Sequence, residues 1–140
     1  MPGQYVSLRM RDGAGEFKRS YSIVESSENS FKLCIKIVPD GRGGRVLSRL
    51  SVGDQVMASP AVGGFVLRDT PLPKVFIATG TGLAPMIAML SATPNTVPKT
   101  VIFGVRREED LFYLDTLRSY SNIRIVTTLS SPRGTWLGQK

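Results

Sequence analysis

The clearest chemistry lies at Thr79-Gly80-Thr81-Gly82. Before it, Val75, Phe76, Ile77 and Ala78 form a short apolar run, which predicts a strand buried on both faces. After it, Pro85 stands where a first helical turn begins, and Met86, Ile87, Met89 and Leu90 follow at helical spacing. A strand, a glycine turn and a helix start together suit an anion. Gly80 and Gly82 let backbone come close to a phosphate, and the helix start offers free N–H groups at the positive end of its dipole. The same pattern fits an ordinary strand-to-helix turn, and Pro85 takes the place of the third glycine in the usual G-x-G-x-x-G.

Other chemistries are excluded by composition. The 140-residue chain has no histidine, which removes Ser–His and Cys–His catalysis and the commonest zinc sites. Its one cysteine, Cys34, allows no internal disulfide and no cysteine-held cluster, and reads as a small core residue in a strand. Hydrophobic content of 41% and charged content of 21% mark a globular composition. No apolar stretch approaches a membrane span and no signal peptide opens the chain, so the expected location is cytoplasmic, away from membranes. The net charge of +7 comes from cations spread along the chain, never more than two in a row. That suits a phosphate-bearing cofactor or an acidic partner and argues against nucleic acid.

The elements that must position these residues fall into two halves, 1–70 and 71–140, joined near Thr70-Pro71-Leu72-Pro73. The first half reads as short strands with turns. They lie at Tyr5–Leu8, about Arg19–Val24, an alternating strand over Phe31–Ile37, Gln55–Ala58 and Phe65–Leu67. Pro39 to Gly44 reads as a loop, with a short helix around Val46, Leu47 and Leu50. This predicts a small antiparallel barrel or sandwich. The second half alternates strand and helix. Strands fall at 75–78, Thr100–Phe103 and Ile123–Thr128, with helices at 85–92 and about Glu109–Tyr120, where Leu111, Leu114 and Leu117 recur. That is a three-stranded parallel half of a doubly wound α/β domain.

Four segments, in order, resemble the ferredoxin–NADP reductase-like flavoproteins. Pro2-Gly3-Gln4-Tyr5 is similar to P-G-Q-[YF]. Arg19-Ser20-Tyr21-Ser22 is similar to the flavin motif R-x-[YF]-[ST]. Ala78 to Pro85 resembles the G-T-G-x-A-P nucleotide turn, and Gly104-Val105-Arg106 with Asp110-Leu111 and Tyr113 resembles G-x-R-x-x-x-D-L-x-Y. Without this context, Arg19–Ser22 reads as an alternating surface strand with a buried tyrosine. The resemblance implies an enzyme that passes electrons from NADH or NADPH through FAD to a separate acceptor. It implies that Arg19 pairs with the FAD diphosphate, that Tyr21 covers the flavin ring, and that Ser22 reaches the flavin edge where hydride arrives. Lys36, Ile37 and Val38 would meet FAD through their backbone.

The third FAD segment departs from the family. Gly44 stands where a Ser or Thr usually precedes the short helix, leaving Arg42-Gly43-Gly44-Arg45, with Val46 next, to offer N–H groups and two cations. In the second half, Thr79, Gly80, Thr81, Gly82 and Pro85 would hold the dinucleotide pyrophosphate, with Thr81 beside the nicotinamide. Gly104 and Arg106 would lie toward the adenosine. Ser130 matches the Ser of a 2′-phosphate Ser-Arg pair, but Ser131 takes the Arg position and Arg133 lies two residues on. The two halves should meet at a cleft lined by Tyr21, Ser22 and Thr81. Further strands and a C-G-x-P motif of the family do not appear, so the chain reads as about 100 residues short of two complete domains. Self-association through open sheet edges is then expected, and the alternative to an enzyme is a fragment that folds or oligomerises without turnover.

Overall fold

A computed structural model describes residues 1–134. The first half is an antiparallel sheet curled as a half-barrel, with Phe31–Leu33 (β3), Gly15–Ser26 (β2), Tyr5–Asp12 (β1) and Met57–Ala58 (β4) side by side in that order. Strand β1 (Tyr5–Asp12) and strand β2 (Gly15–Ser26) form a hairpin whose pairing runs from Tyr5–Ser22 to Asp12–Gly15. Its turn closes because the Asp12 carboxylate accepts the Ala14 N–H at 2.9 Å, and because Gly15 takes a φ of 103° that a side chain would oppose. Val6, Leu8 and Met10 point inward at every second position and meet Ile23 in a small core. Strand β3 (Phe31–Leu33), helix α1 (Arg42–Leu47) and strand β4 (Met57–Ala58) complete this half.

The second half is a parallel sheet ordered β5-β6-β7: β5 (Lys74–Thr79), β6 (Lys99–Val105) and β7 (Ile123–Leu129). A 3-10 turn at Gly80–Gly82 runs straight into helix α2 (Leu83–Ala92), and helix α3 (Leu114–Ser119) precedes β7. Phe76, Ala78, Val101, Phe103 and Val105 face Leu83, Ile87 and Leu90 of α2 and Leu117 of α3 in one core. Val24 of β2 belongs to this core as well, so α2 packs on the hairpin and joins the halves. Gly3 sits in that seam with φ 101°; a Cβ there would collide with the Phe65 carbonyl and the end of Met89.

Several local expectations are corrected. β5 is buried on one face only: Phe76 and Ala78 point inward, while Val75 and Ile77 are 63% and 65% exposed. The 31–37 strand stops at Leu33, because Cys34 leaves the sheet to pack against the second core. Gln55–Ala58 pairs only at Met57 and Ala58. Phe65–Leu67 is not a strand; it crosses between the halves, with Leu67 packed on the second core. The 109–120 helix is broken. A 3-10 turn covers Glu108–Asp110, Phe112 packs edge-on against Phe103 at 5.4 Å, and Tyr113 takes a left-handed φ of 57° before α3 starts. The helix at Val46 begins earlier than expected, at Arg42, so Arg42, Gly43 and Gly44 are helical rather than loop.

Candidate functional site

The carboxyl ends of β5, β6 and β7 open on a cleft of about 750 Å³. Parallel α/β sheets place ligands at this edge, because the helix starts gather there. β5 delivers Thr79, Gly80 and Thr81; β6 delivers Gly104, Val105 and Arg106; β7 delivers Thr128, Leu129 and Ser130. Backbone pairing continues past β7, with Ser130 N–H donating to the Val105 carbonyl and Ser131 N–H to that of Arg106, which keeps Ser130 beside Arg106. Gly104 packs tightly, since a Cβ there would lie 3.1 Å from Thr128 Oγ1. At the glycine turn, Gly80 has φ 49°, a Cβ on either Gly80 or Gly82 would meet nothing, and no side chain caps the turn. Its first N–H groups are open to a ligand.

The first half supplies the facing wall: Cys34, Ile35 and Lys36. Lys36 Nζ stands 3.6 Å from Asp110 Oδ1 across the cleft. Burial pushes the Cys34 thiol up, away from the thiolate that a nucleophile needs. Glu109 and Phe112 also line the cleft. Arg133 does not; its guanidinium lies 3.6 Å from Glu109 Oε1, a carboxylate that Arg107 also approaches.

A second group lies outside this cleft. Gly43 is buried beneath Tyr21, where a Cβ would stand 2.7 Å from the phenol oxygen and 3.4 Å from Arg19 Cγ. Burial pushes the Tyr21 phenol up, with the Arg19 charge opposing. Arg19 itself is exposed, donating to the Lys18 carbonyl at 2.8 Å with its guanidinium 5.3 Å from the Phe17 ring centre. A Cβ on Gly44 would lie 3.4 Å from Ile37 and Val38, an ordinary contact. Arg45 donates to the Asp40 carbonyl and Val46 packs on the first core. Ser22 sits half-buried on β2, opposite Tyr5. Arg19, Tyr21 and Gly43 are therefore brought together, as are Ile37, Val38 and Gly44. The expected meeting of Tyr21 and Ser22 with Thr81 in the cleft lining is corrected: Cys34–Lys36 occupy that wall. A further hollow of about 830 Å³, between the first residues and α2, is lined by none of the candidates.

Arg42, expected as one of two cations for the FAD phosphates, is committed to Asp12 instead, a pairing the sequence did not reveal. Its guanidinium makes two 2.6 Å bonds to Asp12, donates to the Gly15 carbonyl and covers the Phe17 ring at 4.1 Å. The Arg42 bond holds the Asp12 carboxyl down at about 2. This pair ties α1 to the β1–β2 turn across thirty residues, a distance at which the sequence carries no local signal. Asp110 did lie in a recognised motif, but nothing in the sequence paired it with Lys36. Among the described residues there is no cluster of potential metal ligands, and no helix is long and apolar enough to cross a membrane.

Residues 1–66 match the family described as oxidoreductase FAD-binding domain, and residues 76–140 match the oxidoreductase NAD-binding domain. The chain belongs to the ferredoxin–NADP reductase-like flavoproteins. Within this family of FAD-dependent oxidoreductases, ferredoxin–NADP reductase B of Sorangium cellulosum is 37% identical over 99% of the chain and 61% of its own length. Methane monooxygenase component C of Methylosinus trichosporium is 34% identical over 85% of the chain and 36% of its own length. Among solved structures, the Amycolatopsis cytochrome P450 reductase GcoB superposes with a TM-score of 0.79 at 30% identity, covering 94% of the chain and 44% of that protein. The CS-b5R domains of human Ncb5or share the fold at a TM-score of 0.86 and 24% identity, over 99% of the chain and 45% of that protein. The chain thus spans less than two thirds of each of these proteins.

Proposed function

We propose that the chain is the flavin- and nucleotide-binding core of a reductase that takes electrons from NADH or NADPH through FAD to a separate acceptor. The observation that carries this is the cleft itself, where the glycine turn of the second half faces Cys34–Lys36 of the first. FAD, when bound, supplies the hydride and electron chemistry; the chain binds and orients. The open N–H groups and Cβ-free surface at Gly80 and Gly82 fit a pyrophosphate, and Thr79, Thr81, Gly104 and Arg106 frame it, while Pro85 is buried in the first turn of α2 and supports the turn from behind. Toward the flavin, Arg19 serves the diphosphate from an exposed position and Tyr21 covers the ring, while Gly43 and Gly44 let the backbone of α1 approach. Ser22 lies one residue on from Tyr21 and is assigned to the flavin edge. Ser130 and Arg133 are assigned to the adenosine end of the dinucleotide. The division at 70/71 is supported by the gap between the two matched segments.

The relatives named above as a ferredoxin–NADP reductase and a monooxygenase component favour a protein acceptor for the complete enzyme. The test is reconstitution with FAD, followed by anaerobic addition of NADH or NADPH while the flavin absorbance is watched, then ferricyanide as acceptor. Bleaching and reoxidation are expected. A protein that takes up FAD yet is bleached by neither dinucleotide would refute the assignment.

A further inference from the structure

The cleft contains a contact that its proposed use does not explain. Lys36 and Asp110 both line it, from opposite halves, and stand 3.6 Å apart. Among the described residues this is the only ion pair that joins the two halves. Its character differs from that of its neighbours. Arg42 and Asp12 are locked by two 2.6 Å bonds. Glu109 is shared by Arg107 and Arg133, so its charge is compensated within the second half. Asp110 faces Lys36 at a distance beyond a hydrogen bond, and the lysine side chain is 65% exposed. Such a loose, solvated pair exchanges its partner easily.

We infer that Asp110 is a counter-charge latch: it holds Lys36 across the cleft, and the pyrophosphate of an entering dinucleotide takes its place on the lysine. The inference rests on the nucleotide reading of the cleft. The chemistry follows from the two anions. A lysine ammonium offers three donors on a flexible stem and binds a phosphate as a point charge. A carboxylate a few ångströms away competes for that ammonium and repels the pyrophosphate. Asp110 therefore lowers dinucleotide affinity while keeping the facing walls in register when the cleft is empty. Lys36 carries a side-chain role here beyond the backbone contact that the sequence suggested for it.

The test is calorimetric titration of the full chain with NAD⁺ and with NADP⁺ at low ionic strength. Asp110→Asn is expected to bind about three- to tenfold more tightly, and Lys36→Gln to bind more weakly by a similar factor. In the Lys36→Gln background, Asp110→Asn should change little. Glu108→Gln alters the charge equally at a neighbouring position and should leave binding within about twofold, and the Asp110→Asn gain should shrink as salt is raised. Unchanged or weaker binding by Asp110→Asn overturns the latch, as does equal tightening with and without Lys36, which would reduce the effect to bulk charge. Binding of neither dinucleotide by any variant overturns the nucleotide cleft itself and the latch with it.

Discussion

Among the described residues, thirteen buried side chains form the core beneath the parallel sheet, one of them, Val24, contributed by β2; four form the core of the antiparallel sheet. The two halves therefore hold their candidate residues by different means. In the second half, strand ends fixed by a well-filled core carry Thr79, Gly104 and Ser130 to one cleft. In the first, Tyr21 and Arg19 are placed by close backbone approach at Gly43 and by the Asp12–Arg42 pair. Where few apolar contacts are available, glycine packing and a bidentate ion pair take over the positioning.

The largest expected effect tests that asymmetry directly. Phe103 is fully buried, and Phe103→Ala should cost about 3–5 kcal/mol, against about 2–3 kcal/mol for Leu8→Ala in the smaller core. Urea unfolding measures both, and equal costs would remove the contrast. Next, Arg19→Ala should weaken FAD binding about tenfold or more, as loss of one charge-assisted bond predicts, and Arg106→Ala should leave it unchanged while weakening NADP⁺. Fluorescence titration of FAD with both variants decides this, and equal FAD affinities would merge the two sites.

A smaller pair of changes separates stability from binding at one residue. Gly82 has a helical φ of −60° and open space around it, so Gly82→Ala should stabilise the fold by about 0.5–1 kcal/mol. If backbone approach to phosphate is its purpose, NAD⁺ affinity falls in the same variant; thermal melts and calorimetry on one sample read both. The smallest effect is read across pH. Asp12 titrates near 2 in the folded chain against 3.8 ordinarily, so its bond to Arg42 stabilises the fold above about pH 4 and that contribution is lost as pH falls toward 2. Asp12→Asn should be less stable than the parent at pH 6 and should lose less on acidification from pH 4 to 2. Parallel acid melts would expose an inert pair.

The strands at Tyr5–Leu8 and Arg19–Val24 and the strand–turn–helix at 75–90 were legible because apolar runs, turn residues and glycine placement are local properties. The same locality explains the errors. Leu111, Leu114 and Leu117 keep a helical spacing, yet Phe112 is held edge-on to Phe103, and the chain must reverse at Tyr113 to bring that about. Val75 and Ile77 look like core, but their burial depends on what lies over the sheet, which the sequence of β5 does not specify. In the site, Thr79–Gly82 could be read from spacing, whereas Asp110 beside Lys36 and Arg42 beside Asp12 are products of folding. Gly43 was legible as a glycine but not as the seat for Tyr21.

Cys34, half-buried in the wall between the halves, gives the protein a built-in reporter. It is the only thiol in the chain, so any alkylating reagent labels one address. Because burial suppresses its thiolate, the labelling rate at fixed pH counts how often that wall is exposed to water. A dinucleotide seated against Cys34–Lys36 should slow the reaction, so that a mass spectrometer following one adduct over time becomes a clock for the opening of the cleft.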